Sequence, residues 1–450
     1  MGRVRRTTEL GLIVLGSVII AGAYTLASLG RNASIPANLG PFLGIILALL
    51  VGAHVATRWL APEADGLLLP LAALLNGIGY VFIVRLAGER NVPSDLPGLQ
   101  ATWTALGIAA YVGTLLLVRN SRVLDQYRYS FAVAGISLLL TPLVPGIGRQ
   151  INGARIWASI GPINFQPGEF AKIALAIFFA SYLVEKRELL QIATTRIGPL
   201  HIPELRHIGP LLLAWGASIV VMVAEKDLGS SLLFFALFAV MVWVATDRVA
   251  YLLTSFVLFA VGAFLAWTQF SHVQDRVDIW IDPWADASGS GFQVLQSMFA
   301  FATGGITGTG LGLGDPERIP EVETDFIFAA IGEELGLVGA TAILLCYLLM
   351  IGSGLRVATR AEAPFDKLLA VGLTGLLGMQ TFIIIGGVTR LVPLTGITLP
   401  FVSYGGSSLL SNYILLALLM RISDETAKRE RVRAERADQP DQIAPSQMPA

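Results

Sequence analysis

The stretch EVETDFIFAAIGEELG, residues 321–336, carries Glu321, Glu323 and Asp325 at the mouth of an apolar segment and Glu333 and Glu334 inside it. Carboxylates are expensive in a lipid environment unless they are paired, line a polar cavity or do chemistry. A chain that places five of them where water is leaving therefore raises a question of function as well as of fold.

The rest of the sequence supplies the environment. Of 450 residues, 54% are hydrophobic and only 14% charged, against about 25% charged in soluble domains, and the mean hydropathy is +0.68. These values indicate an all-α, polytopic membrane protein, because a span must satisfy its own backbone hydrogen bonds. The net charge of −1 excludes a global field for nucleic acid. A single cysteine, Cys346, excludes a disulfide framework, and four scattered histidines offer no metal-ligand spacing.

Apolar segments of near-spanning length fall at about 10–29, 39–57, 67–86, 102–118, 129–145, 169–184, 208–224, 229–246, 249–269, 326–350, 368–388 and 404–420, which predicts about 12 helices. The first follows MGRVRR and is longer than a cleavable signal sequence, so it reads as a retained span. With the N-terminus in the cytoplasm, about twice as many Lys and Arg residues fall inside as outside, in keeping with the positive-inside rule. Both termini are then cytoplasmic, and loops 146–168, 270–325 and 389–403 lie outside. Residues 1–422 read as one transmembrane domain. The polar run 423–450 reads as a disordered cytoplasmic tail, with helix near the membrane as an alternative.

Several polar groups stand out against this apolar background. In loop 146–168, Arg149, Arg155 and Trp157 precede Gln166-Pro167-Gly168-Glu169, and the proline suits a helix start. Glu169 and Lys172 share one helix face. They form either an intrahelical ion pair or a cavity wall where Lys172 meets an anion. Glu225, Lys226 and Asp227 form either a solvated turn or, for Asp227 before Leu-Gly-Ser-Ser, a helix N-cap. Segment 289–314 is Gly-rich and too short to span, so a re-entrant or surface-lying element fits. Its GTGLGLG run lacks the Gly-Lys-Ser/Thr of a phosphate loop. Glu317, Glu321, Glu323 and Asp325 crowd together, which raises carboxyl pKa values. Asp325 directly precedes the helix and is rigidly mounted, as a general base should be. Glu333 and Glu334 need partners, for which Lys172 and Arg390 are candidates. Ser403, Tyr404, Ser407 and Ser408, within the Pro- and Gly-broken stretch 389–413, suit a helix end lining a cavity.

In order, GARIW, FQPGEFAK, DLGSS, Gln296-Ser297, IPEVETDFIFAAIGEELGLVG and LPFVSYGGSSLLSN resemble the SEDS family (shape, elongation, division and sporulation), which includes RodA, FtsW and SpoVE. The likeness covers about residues 129–422. It implies a peptidoglycan glycosyltransferase that polymerises lipid II at the outer face of the bacterial cytoplasmic membrane, beside a class B penicillin-binding protein. It also implies that Asp325 is the essential aspartate, that Glu317 matches an important upstream acid, and that Arg155 and Trp157 match the family's GARRW. Glu323 stands where the family often has His, and Lys226 where it has Pro. Five spans precede the GARIW loop instead of three, so two N-terminal helices are additional, a trait of RodA-like members.

These readings make Asp325 catalytic. They place Arg155, Trp157, Glu169, Lys172, Lys226, Asp227, Gln296, Glu317, Glu333, Ser403, Tyr404 and Ser407 along the substrate path. Charge for the departing diphosphate comes from a basic residue or from a divalent cation, Mg or Mn. Alternative readings are a septal, FtsW-like polymerase and a lipid II flippase using Lys172, Glu333 and Glu334 as its path.

Overall fold

The computed structural model describes residues 2–437 except 36–38, 90–91, 152–153, 162, 193, 198–199, 204–215, 217–218 and 221–222. Most of the expected 208–224 span and residues 438–450 lie outside the described residues.

The helices are α1 Gly2–Asn32, α2 Leu39–Leu60, α3 Leu68–Leu86, α4 Leu96–Leu117, α5 Arg122–Gln126, α6 Arg128–Leu140, α7 Gly168–Ile192, α8 Leu228–Thr246, α9 Val249–Gln269, α10 Ser271–Ile281, α11 Phe292–Gly304, α12 Ile327–Arg360, α13 Pro364–Val388 and α14 Gly406–Ala437. Among the described residues eight helices (α1, α3, α4, α8, α9, α12, α13 and α14) are long and apolar enough to cross a membrane, and each matches an expected span. The apolar helices in α2 and α6 are shorter. The chain is a multi-pass membrane protein. Its little sheet consists of β1 Gly148–Ile151, β2 Ala154–Ile160 and β3 Ile163–Phe165 in one antiparallel meander, and β4 Thr194–Ile197 with β5 Leu200–Pro203 in a hairpin.

Burial sorts the helices. The runs 171–183 of α7 and 368–377 of α13 are almost wholly buried, and α14 packs on α4, α7 and α13. In contrast α9 exposes Phe256, Val257, Val261 and Phe264. That apolar face is unsuited to water and suited to lipid.

Two features of the helices go beyond the sequence reading. The first is the length of α14: of the two readings of the tail, the structure takes the helical one as far as Ala437. Its polar residues are used. Arg421 donates to Leu60 O, Leu115 O and Val118 O at 2.8, 2.6 and 2.7 Å, satisfying carbonyls left over at the ends of α2 and α4. Asp424, fully buried, accepts from Glu63 N at 2.8 Å. Glu425 accepts from Ser121 N at 2.8 Å, and Arg429 pairs with Asp366 at 2.8 Å.

The second is a break within α12. Gly336 has φ 64° and ψ −167°, which no helix contains. The break leaves the carbonyls of Glu333 and Glu334 and the amides of Leu337 and Val338 without helical partners. The Gly-rich segment after α11 supplies all four. Thr309 N donates to Glu333 O at 2.9 Å and Gly310 N to Glu334 O at 3.0 Å. Leu337 N donates to Gly305 O at 2.9 Å and Val338 N to Ile306 O at 3.1 Å. The segment is therefore re-entrant, held in the body of the protein by backbone bonds.

The break tolerates only glycine. A Cβ at Gly336 would lie 2.3 Å from Gly308 N and 2.5 Å from Ile306 O, both backbone atoms. Gly336→Ala is expected to lose about 1–3 kcal/mol from backbone strain alone, read as a lowered thermal-unfolding midpoint in detergent. An unchanged midpoint would show that α12 accepts a continuous helix.

Candidate functional site

Asp325 ends a tight loop. Glu321, itself at φ 56°, has a carbonyl that accepts from the amides of Thr324, Asp325 and Phe326 at 3.2, 3.1 and 3.3 Å. The two residues before Asp325 are pinned from the other side. Tyr404 N donates to Glu323 O at 2.8 Å, and Ser403 Oγ donates to Thr324 O at 2.5 Å while accepting from Leu399 N at 2.9 Å. The carboxylate is thus mounted between the start of α12 and the loop that leads into α14, half-buried.

Its neighbours define its charge. A Cβ placed on Gly396 would lie 3.4 Å from Asp325 Oδ2 and 3.7 Å from Arg276 Nη2, so both side chains approach this one glycine. Arg276, on α10, is held by donation from Nη1 to Leu394 O at 2.6 Å. Burial pushes the Asp325 pKa up to about 7, helped by Glu321, Glu323 and Asp227 and opposed by the Arg276 guanidinium. Asp227 is buried and is the N-cap of α8, its Oδ1 accepting from Ser230 N at 3.0 Å. Burial raises its pKa, the Ser230 hydrogen bonds oppose this, and it feels both Glu169 and Arg276.

A second polar group, whose Glu169 also acts on the Asp227 pKa, is built around Lys172. Lys172 Nζ donates to Glu169 Oε2 at 2.6 Å and to Gln380 Oε1 at 2.8 Å. Ser411 Oγ donates to the same Glu169 oxygen at 2.9 Å, and Gln380 Nε2 donates to Thr398 O at 2.9 Å. The expected Glu169–Lys172 ion pair is present, buried between α7, α13 and α14. Ser407 Oγ accepts from Gln166 N at 2.9 Å and ties the loop before α7 to the first turn of α14.

The other expected site residues sit further out. Arg155 and Trp157 are half-buried on β2, two residues apart and so on one face of the strand. Lys226 is exposed at φ 61° in the turn before α8. Gln296 is half-buried on α11, beside buried Ser297, which donates to Val388 O at 3.1 Å. Glu317 and Glu333 belong to a separate network. Here the expected partners are corrected. Glu334 pairs with Arg85, Nε to Oε1 at 2.5 Å, and Glu333 Oε1 accepts from Asp315 N at 2.8 Å. Lys172 is taken by Glu169, and Arg390 donates to Trp280 O and Ile281 O at 2.8 and 2.6 Å. The reason is the broken helix, which draws the Gly-rich loop and α3 against α12.

Sequence reasoning missed Arg276, Gln380, Ser411 and Arg85. A lone Arg in VQDRVDIW on an amphipathic helix carried a weak signal for the first; the others are ordinary polar residues in apolar helices. Among the described residues, no group of three or more His, Cys, Asp or Glu side chains is arranged to hold a metal ion.

Comparison with known proteins agrees with this architecture. The chain is 46% identical to the peptidoglycan glycosyltransferase RodA of Mycobacterium tuberculosis over 436 residues, covering 95% of this chain and 92% of the relative. It is 35% identical to a probable peptidoglycan glycosyltransferase FtsW of Geobacter metallireducens, covering 80% and 94%. Among solved structures, a peptidoglycan synthase complex described as coordinating polymerization and crosslinking superposes with TM-score 0.65 at 29% identity, covering 81% of this chain and 98% of that one. The Thermus thermophilus rod shape determining protein RodA superposes with TM-score 0.57 at 26% identity, covering 81% and 98%. Residues 66–428 match the sequence profile of the FtsW, RodA and SpoVE proteins, and the chain belongs to that family of cell cycle proteins.

Proposed function

We propose that this chain is a peptidoglycan glycosyltransferase that polymerises lipid II, with Asp325 as general base. The observation that carries the reading is the Asp325 carboxyl group, fixed at the mouth of α12 by the bonds of Glu321, Ser403 and Tyr404 with Arg276 beside it, where burial raises its pKa to about 7. A base works best when its pKa lies near the working pH. Asp325 takes the proton of the acceptor sugar's 4-hydroxyl, and that oxygen attacks C1 of the donor sugar. The undecaprenyl diphosphate leaves from the opposite face, so configuration inverts. The leaving group needs positive charge more than it needs a proton. Arg155 and Lys226 are the candidates to supply it, since Arg276 sits beside the base and so on the acceptor's side of the donor sugar, and no step is routed through a divalent cation.

The charge bias of the loops supports an orientation with both termini in the bacterial cytoplasm and the Asp325 loop outside. The greater identity to RodA, reaching over the N-terminal helices, supports a role in elongation over a septal one. The solved synthase complex supports a class B penicillin-binding protein as partner. A flippase reading is less favoured, because Lys172 and Glu334, the charges it would use, are each committed to a buried partner.

Asp325→Asn is expected to lower the rate of glycan-chain formation from purified lipid II by about 10²–10⁴-fold with no loss of thermal stability; near wild-type glycan ladders would remove the assignment. The wild-type kcat/KM should rise with pH and level off above about 7, because only the ionised carboxylate accepts the proton. Arg276 favours that ionised form, so Arg276→Gln should move the rising limb to higher pH. A limb that stayed in place, or moved down, would contradict the pairing.

A further inference from the structure

Arg85 is a cation in the last turn of α3, only 5% exposed. Three parts of the chain converge on it. Its Nε donates to Glu334 Oε1 at 2.5 Å, its Nη2 donates to Gly314 O at 2.6 Å, and its Nη1 lies 3.3 Å from Glu317 Oε2. Glu334 stands on α12 below the mouth, whereas Gly314 and Glu317 belong to the loop that climbs to Asp325. Glu334 is fully buried, and its other oxygen accepts from Gly312 N at 2.9 Å. One planar guanidinium therefore sets the distance between a helix and the loop beside it, which a point charge with a single partner would not do.

The same loop is held from behind by α1, which precedes the residues matching the family profile. Arg31 donates to Arg85 O at 2.9 Å and Ala87 O at 3.1 Å and pairs with Glu89 at 2.9 Å. Gly30 and Gly312 let the two backbones touch. A Cβ on Gly30 would lie 2.2 Å from Leu311 O, and one on Gly312 would lie 2.3 Å from Ala27 O.

We infer that Arg85, seated on α1 through Arg31, is a positioning residue for the transfer reaction: it locks loop 312–317 against α12 and so fixes Asp325 at the helix mouth. It touches no reacting atom. The inference rests on the glycosyltransferase reading, and it gives the additional N-terminal helix a task in that reaction.

The test compares full-length wild type, Arg85→Lys, Arg85→Met and the double variant Arg85→Met/Glu334→Leu in lipid II polymerisation, with thermal unfolding measured alongside. Displacing a catalytic group by about 1 Å can cost about 10²-fold in rate. Arg85→Met should lower kcat by about 10–100-fold with KM for lipid II little changed, and Arg85→Lys should fall between, keeping the charge but losing the fork. The double variant should regain part of the thermal stability that Arg85→Met loses, since Glu334 is no longer a buried charge without its partner. Its kcat should stay low, because Gly314 O still lacks its donor and Glu317 its facing cation. A double variant with wild-type kcat would show that Arg85 only neutralises Glu334 and would overturn the inference. An unchanged kcat in Arg85→Met, or a change confined to KM, would overturn it too. If Arg85→Met does not fold, the double variant decides. Wild type that forms no glycan would instead overturn the glycosyltransferase reading, independently of Arg85.

Discussion

A backbone group inside a bilayer has no water to turn to, and the break at Gly336 exposes four of them at once. The chain answers with its own backbone: residues 305, 306, 309 and 310 provide one partner for each orphaned carbonyl or amide. Much of the rest follows from this repair. It draws a polar loop into the body of the protein and fixes α11 against α12. It brings Gly312 and Gly314 within reach of Glu334 and Arg85. The acidic segment that follows then has little freedom left before Asp325.

The carboxylates are divided by what faces them. Glu334 and Glu317 meet Arg85, Glu169 meets Lys172, and Asp424 meets Lys428 and the amide of Glu63. Asp325 is treated differently, with one guanidinium near it and three acidic groups crowding it. Its pKa in the fold lies above its ordinary value of 3.8, so between those values the folded chain keeps a proton that the unfolded chain has released. Stability attributable to this group is therefore lost as pH rises from about 4 toward about 7. The property that suits Asp325 to accept a proton makes it a burden to the fold, and the hydrogen bonds from Ser403 and Tyr404 to its neighbouring carbonyls hold it in place regardless.

What could be read in the sequence was what depends on near neighbours. Twenty apolar residues announce a span, Asp227 before Leu-Gly-Ser-Ser announces a cap, and Asp325 before Phe-Ile-Phe announces a rigid mount. The unread features depend on distant partners. Arg85 and Glu334 are 249 residues apart, and nothing local tells either that it has a mate. Gly336 sits in an apolar pattern of helical period, and only its backbone angles reveal the break. The run after Ser423 has the composition of a disordered segment. It is helical through Ala437 because Glu63, Ser121 and Asp366, on three other parts of the chain, accept or supply its polar contacts. The strands at 148–165 lie in a stretch whose glycines and prolines excluded a helix without specifying a sheet.

The three carbonyls gathered by Arg421 also bear on the order of assembly. Leu60, Leu115 and Val118 close helices made early in synthesis, whereas Arg421 follows the last of them by 303 residues. Those carbonyls wait for this partner until residue 421 has been made. Contact between the early helices and α14 is therefore late, and a nascent chain released before residue 421 would lack the side chain that gathers all three carbonyls.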